Sequence, residues 1–356
     1  MIQKFKDWKL LKGLVFLNNL IKMKKTIKIN FRNFGEVFNP EDNFFTNILR
    51  KKYNVKISKN PDYLFYSIYL ERKKGKNLYK YGESIKKISL WLYIWIRKLY
   101  SFLKGFEREN GEVPSGKFVK IFVGFEYTKP NMEECDWAFS SYPKEQIDHP
   151  KHLEIPMYMT NDYQLKNFGV PPAKRIINMK KIKKEKIRFC NFIYSQEIPK
   201  RNKFFKELNR YKRVDAPGRC MNNMHSISHD TPKNSRISEN WVLEKLNFIK
   251  KYKFTIAFEN SSNSGWITEK LTHPFLVNSI PIYFGHKDVE KDFNTKSFLN
   301  FNDYKNMNEF IKRIIEVDQN DKLYEKYLRE PVFKGGKIPE IAYERRILRR
   351  FKEIFG

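Results

Sequence analysis

One stretch limits the folds open to this chain more than any other: Tyr252 to Gly285, YKFTIAFENSSNSGWITEKLTHPFLVNSIPIYFG. The run FTIAF, Phe254 to Phe258, is short, apolar and rich in aromatic and β-branched residues, the composition of a strand buried on both faces. ENSSNSG then breaks the pattern with Asn, Ser and Gly, as loops do. From Trp266 onward Ile267, Leu271 and Phe275 recur at helical spacing, and IPIYFG closes the unit as a second buried strand. The loop therefore opens onto a helix N-terminus at a strand's carboxyl edge, where free backbone N–H groups and the helix dipole favour phosphate. Glu269 and Lys270 fall in the first turns, one an acceptor for hydroxyls, the other a cation for phosphate oxygens. The unit holds neither GxGxxG nor GK[ST], so alone it marks only a nucleotide or sugar-phosphate binder.

The same alternation runs along much of the chain. TIKINF, Thr26 to Phe31, reads as a first strand, and residues 38 to 69 read as helix, strand and, after the Asn60-Pro61 turn, strand again. KFVKIFVGFE is another buried strand, ending at Glu126, and Met307 to Glu316 and Lys322 to Leu328 have helical periodicity. With 356 residues there is length for two cores. Strands and helices alternating in two blocks predict an α/β protein of two Rossmann-like, doubly wound domains facing across a cleft. The expected division is a basic extension 1–24, a first domain 25–178 with an inserted aromatic helix 84–106, and a linker 179–187. A second domain 188–335 and a basic amphipathic helix 336–356 complete it. Met23, followed by KKTIKINF, would itself be a natural start into the first strand.

Two segments carry charge and apolar surface together. Ser84 to Phe106 holds Trp91, Tyr93, Trp95 and Tyr100 among aliphatics with flanking Lys and Arg, too short to span a bilayer. It reads either as a helix packed on the first domain or as one lying among lipid headgroups. In AYERRILRRFKEIF, Ile341, Leu348, Phe351 and Phe355 fall near one face, with Arg345, Arg346, Arg349 and Lys352 elsewhere. A helix on an anionic membrane surface and a helix folded back on a domain share that pattern. The formal net charge of +30 favours polyanions of any kind, but no RRM, KH, zinc-finger or helix-turn-helix signature points to nucleic acid. Cys135, Cys190 and Cys220 lack CxxC spacing and are odd in number, which fits a reducing cytoplasm. The six histidines, among them His225, His229 and His286, show no metal-ligand spacing.

Three segments sharpen the reading. FENSSNSGWITEK, Phe258 to Lys270, resembles the signature of the α-1,3-fucosyltransferases, glycosyltransferase family 10, whose pattern is close to FEN…GY[VI]TEK. RFCNFIYSQEIPKRNKFFKELNRYKRVDAPG, Arg188 to Gly218, is similar to the family's strand, loop, Arg-Asn helix opening and V-x-x-x-G turn. GFEYTKPN, Gly124 to Asn131, resembles its E-x-x-x-P-N segment. Order and spacing agree with the family between about residues 25 and 330.

The resemblance, in the family's bacterial style, implies the GT-B arrangement of two facing domains. It implies an inverting transfer of L-fucose from GDP-fucose to a hydroxyl, O3 of GlcNAc or glucose in a lactosamine-like unit. The acceptor would belong to a surface glycan, lipid-linked and reached from the inner face of the cytoplasmic membrane. Glu126 matches the family's base; a carboxylate ending a buried strand, before the Pro130-Asn131 turn, suits that task because partial burial raises its pKa. Arg201 and Lys270 would bind the donor diphosphate, Glu269 donor hydroxyls, and Asn260 and Trp266 the rest of the donor, with Glu259 and Gly218 shaping the pocket. Trp266 stands where the family more often has Tyr, so an indole replaces a phenol there. There is no Asp-x-Asp to hold a divalent cation, and no cofactor is implied beyond the donor itself. Two other readings remain: a transferase of this fold that uses another nucleotide sugar, and a non-enzymatic basic protein that binds membrane surfaces.

Overall fold

The computed structural model describes residues 24–35, 38–69, 113–124, 127–160, 165–227 and 239–356. The basic extension before residue 24, the expected aromatic helix 84–106 and Glu126 lie outside them.

The first domain is a sheet of six parallel strands. These are β1 (Thr26–Phe34), β2 (Asn54–Ile57), β3 (Tyr63–Tyr69), β4 (Val119–Gly124), β5 (Trp137–Ser140) and β6 (His152–Glu154), in the order β2-β1-β3-β4-β5-β6. Helix α1 (Phe44–Leu49) joins β1 to β2, and α2 (Met157–Thr160) follows β6. Alternation along β1 turns Ile27, Ile29 and Phe31 inward, where they meet Phe65, Ile121 and Phe139 of neighbouring strands. Helix α1 starts where Asn43 accepts bonds from the Phe45 and Thr46 amides, both at 3.1 Å, and it buries Phe44, Phe45, Ile48 and Leu49.

The second domain begins with α3 (Met179–Glu185) and β7 (Arg188–Asn191). It continues through α4 (Pro199–Tyr211), β8 (Val214–Asp215), α5 (Glu239–Ile249), β9 (Tyr252–Phe258), α6 (Glu269–Leu276) and β10 (Ile280–Phe284). It closes with α7 (Val289–Asp292), β11 (Leu299–Asn300), α8 (Met307–Gln319) and α9 (Asp321–Arg329). Its five strands are also all parallel, in the order β11-β10-β9-β7-β8. Six of the seven residues of β9 are buried, as a strand covered on both faces requires. In both sheets the first strand lies between the second and the third, so the chain reverses its direction of winding at β1/β3 and at β7/β9. Crevices for ligands open at the carboxyl ends of strands flanking such a reversal.

The basic run expected to link the domains is helix α3, capped by Asn178, with Ile182 buried in the second core beside Phe204, Phe254 and Phe310. The helix expected to start at Trp266 starts instead at Glu269. Thr268, in extended conformation, caps it by accepting from the Lys270 amide at 3.3 Å, and a residue that caps cannot itself be helical. Pro274 stands two residues before this helix ends at Leu276.

The larger core crosses from one domain to the other. Leu271, Phe275, Phe293 and Phe333 of the second domain join Phe45, Phe139 and Tyr158 of the first, with the Tyr158 and Phe293 rings 5.6 Å apart. Helix α10 (Glu344–Phe355) returns to the first domain and inserts Ile347, Phe351 and Phe355 into this core. The Phe355 ring lies 4.5 Å from Tyr63 and the Phe351 ring 5.8 Å from Phe139. Of the two readings of its amphipathic pattern, the packed helix is therefore the one adopted: its apolar face meets protein, while Arg345, Arg349 and Lys352 stay exposed. Among the described residues no helix is long and apolar enough to cross a membrane.

Candidate active site

The reversal between β7 and β9 collects the chemistry of the second domain. After β7 the chain passes Tyr194 and enters α4 at Pro199, which suits a first helical turn because it has no amide to leave unpaired. Arg201 sits in that turn and is 1% exposed. Its guanidinium lies 3.6 Å above the Tyr194 ring, gives one bond to the Asn260 side-chain oxygen at 3.0 Å, and gives another to the Gln196 carbonyl at 2.6 Å. Its Nε is buried with no partner. Burial lowers the guanidinium's pKa and the Tyr194 ring opposes that shift, so the group stays a cation whose hydrogen-bonding capacity is not exhausted.

After β9 the chain turns at Glu259, whose side chain is fully buried. Its carboxylate accepts from the Thr268 amide at 2.9 Å and from the Thr268 hydroxyl at 3.0 and 2.9 Å, and it lies 3.4 Å from the Lys270 ammonium. Burial pushes the Glu259 pKa up, and Lys270 and Thr268 pull it back. For Lys270, burial works against the charge, but Glu269 and Glu259 outweigh it and hold the pKa above the usual lysine range. The ammonium also donates to the Thr268 hydroxyl at 3.1 Å. Glu269 pairs with Lys270 at 3.8 Å and with Lys245 of α5 at 3.7 Å. The site is thus a cradle of two cations, Arg201 and Lys270, around the turn Glu259-Asn260 at the N-termini of α4 and α6. Helix N-termini and cations so placed suit an anion, the environment that charge on a phosphate requires.

Five of the expected donor residues, Arg201, Asn260, Glu259, Glu269 and Lys270, are joined by these bonds. Gly218 lies behind the cradle; a methyl group there would collide with the Tyr194 carbonyl, so only glycine lets the loop after β8 lie on this turn. Trp266 is 7% exposed, with its indole N–H buried and unpartnered. It lies edge-on to Tyr127 of the first domain with centroids 6.0 Å apart. Beside it Gly265, at φ +74°, lies so near the Ser141 carbonyl and Pro143 that a methyl group there would collide with them, so the loop between β9 and α6 is the wall where the two domains touch.

Three participants were missed. Tyr194 carries Arg201 and holds the end of β9, its hydroxyl bonding the Phe258 amide at 2.7 Å and the Ile256 carbonyl at 2.9 Å. No sequence pattern marks a ring as a platform for an arginine. Thr268 was legible as a helix cap directly before Glu269 and Lys270. Lys245 looked like one cation among many in so basic a chain. Among the described residues no cluster of three or more His, Cys, Asp or Glu could hold a metal ion, and Cys135, Cys190 and Cys220 are buried and form no disulfide.

Comparison with known proteins gives a consistent picture. The family model described as glycosyltransferase family 10 (fucosyltransferase) C-term matches residues 180–330, and that of the alpha-(1,3)-fucosyltransferase FucT N-terminal domain matches residues 29–88. The alpha-(1,3)-fucosyltransferase FucT of Helicobacter pylori is 28% identical over 268 residues, 66% of this chain and 52% of its own. Alpha-(1,3)-fucosyltransferase B of Drosophila melanogaster is 33% identical over 132 residues, 36% of this chain and 28% of its own. The chain thus spans about half or less of the length of these relatives. A crystal structure of an alpha1,3-fucosyltransferase with GDP-fucose superposes with a TM-score of 0.64 at 21% identity, covering 94% of this chain and 91% of that one. At that identity the likeness establishes the fold, two facing α/β domains in the GT-B arrangement.

Proposed function

The chain belongs to glycosyltransferase family 10, the fucosyltransferases, and on that premise we propose that it is a GDP-fucose-dependent, inverting fucosyltransferase. The observation that carries the reading is the meeting of Arg201, Asn260 and Lys270 at the β7/β9 reversal, where a nucleoside diphosphate would be gripped. In this reaction Glu126 takes the proton of an acceptor hydroxyl. The acceptor oxygen then bonds to the anomeric carbon of fucose on the face opposite the diphosphate. The bond from that carbon to the phosphate oxygen breaks, and its electron pair leaves on GDP. Arg201 and Lys270 offset the charge that grows on GDP, a task that a metal ion performs in other transferases. One displacement without a covalent intermediate inverts the anomeric centre.

The acceptor in this proposal is a hydroxyl of a surface glycan, O3 of GlcNAc or glucose, carried on a lipid. A position at the cytoplasmic face of an anionic membrane fits the net charge of +30 and the exposed Arg345, Arg349 and Lys352 of α10. The test is turnover of GDP-fucose against a panel of nucleotide sugars on a glycan array, beside Glu126→Gln. We expect fucose transfer, abolished by the substitution while GDP binding persists. Turnover of a different nucleotide sugar would support a transferase of another donor class, and a silent Glu126→Gln would remove the mechanism. Activity should survive EDTA; complete loss restored by a divalent metal would show that the two cations do not suffice.

A further inference from the structure

We propose that Tyr127 and Tyr142 form the platform on which a pyranose ring of the acceptor lies, an inference that rests on the transferase reading above. The two rings are stacked, with centroids 4.2 Å apart and planes 24° from parallel. Tyr127 comes three residues after β4 and Tyr142 two residues after β5, so both stand at the carboxyl edge of the first sheet. That edge faces the donor cradle through Trp266, which meets Tyr127 edge-on at 6.0 Å. Both tyrosines are half-buried, each keeping part of its surface in solvent although stacked on the other. The pair stands where the edge of the first sheet meets the loop before α6, with part of each ring open to solvent.

Carbohydrate chemistry suits such a pair. A pyranose has a face of C–H groups and a rim of hydroxyls. An aromatic surface suits the first, and phenol hydroxyls suit the second. The Tyr127 hydroxyl shares a hydrogen bond with the Tyr142 hydroxyl and reaches Gln146 at a long 3.5 Å, so the two phenol groups lie side by side at one rim of the stacked pair. Two buried polar atoms without partners flank the pair: the Ser141 hydroxyl oxygen, next to Tyr142 in the chain, and the Trp266 indole nitrogen. Buried polar groups left unpaired cost stability, and such a cost is met at sites that a ligand completes. The donor side holds its cations on the second domain, so a sugar seated here would have its hydroxyl between the two sheets' edges, where transfer must occur.

The experiment compares wild type, Tyr142→Ala, Tyr142→Phe and Tyr127→Ala. Steady-state transfer gives the acceptor and donor KM, calorimetry gives GDP affinity, and saturation-transfer NMR gives direct binding of a lactosamine oligosaccharide. We expect either alanine variant to raise acceptor KM about tenfold, the worth of one good ring contact. GDP affinity and donor KM should move less than about twofold, and Tyr142→Phe should keep most of the acceptor affinity. An unchanged acceptor KM would overturn the proposal, and so would acceptor and donor constants rising together, since that is what a merely structural domain contact would do. If wild type transfers no sugar, the transferase reading has failed and the NMR arm decides alone: oligosaccharide binding lost in Tyr142→Ala upholds the platform, and absence of binding by wild type ends it.

Discussion

The Arg201 guanidinium rests 3.6 Å above the ring of Tyr194, whose hydroxyl in turn is bonded to the last residues of β9. The cation proposed to grip the donor is therefore fixed to the sheet through an aromatic ring rather than through a carboxylate, which leaves its charge available to an anion.

That arrangement predicts that Arg201→Lys is not a conservative change. An ammonium cannot stack flat and bond Asn260 and Gln196 together. GDP affinity should fall by about tenfold or more, with the unfolding temperature lowered, measured by calorimetry and thermal denaturation. Affinity equal to wild type would remove Arg201 from the donor site.

Lys270→Met should be costly for a different reason: it leaves the Glu259 carboxylate buried without its cation. Breaking such a pair costs about 3–5 kcal/mol, whereas replacing both partners costs far less. The double variant Lys270→Met/Glu259→Gln should recover much of the stability in urea titrations but none of the GDP binding. In the single variant the sign with pH is fixed. Glu259, with its pKa already raised by burial, is accommodated when protonated, so the defect should ease as pH falls and grow as pH rises. A defect independent of pH would contradict this account.

Gly265→Ala places a side chain at φ +74° and against the Ser141 carbonyl. The backbone conformation alone costs about 1–2 kcal/mol, and the collision must push the loop away from the first domain. Turnover should fall more than GDP affinity, because the cradle survives while the wall between the domains is displaced. Kinetics beside calorimetry check it; parallel losses would mean that the loop acts only through the donor.

A carboxylate at the seam between the domains gives a pH signature. Burial pushes Glu154 of β6 up to about 7, against a bond from the Lys144 amide at 3.0 Å. Its folded pKa lies above its unfolded one, so its contribution is full at low pH and lost as pH rises through about 7. Glu154→Gln keeps an oxygen to accept the amide and never ionises. It should raise the unfolding temperature at pH 8 and change it little at pH 5. An equal effect at both would show that Glu154 does not titrate with folding.

Much of this was legible in the chain because parallel strands buried on both faces read as apolar runs. FTIAF and IPIYF are strands, and the Asn residues ahead of α1, α3 and α8 mark the helix starts. Arg201, Asn260 and Lys270 were singled out by two of the short segments that carried the resemblance. What stayed hidden needed three dimensions. Periodicity placed Trp266 in a helix because its spacing to Ile267 and Leu271 fits one, yet Thr268 caps two residues later. Trp266, expected at the donor, also meets Tyr127 edge-on across the two domains, a contact that no sequence pattern marks. The basic helix α10 has one amphipathic pattern for two surroundings, and only the apolar rings of the first domain decide between them.

Helix α10 has a consequence for how the polypeptide acquires its shape during synthesis. Its backbone accepts from the Tyr53 hydroxyl at 3.3 Å through Phe351 and from the Lys25 ammonium at 2.5 Å through Phe355, so the earliest described strand is sealed by residues made some three hundred positions later. A nascent first domain on the ribosome must keep an aromatic wall uncovered until residues 344–355 emerge, a period in which chaperones would hold it.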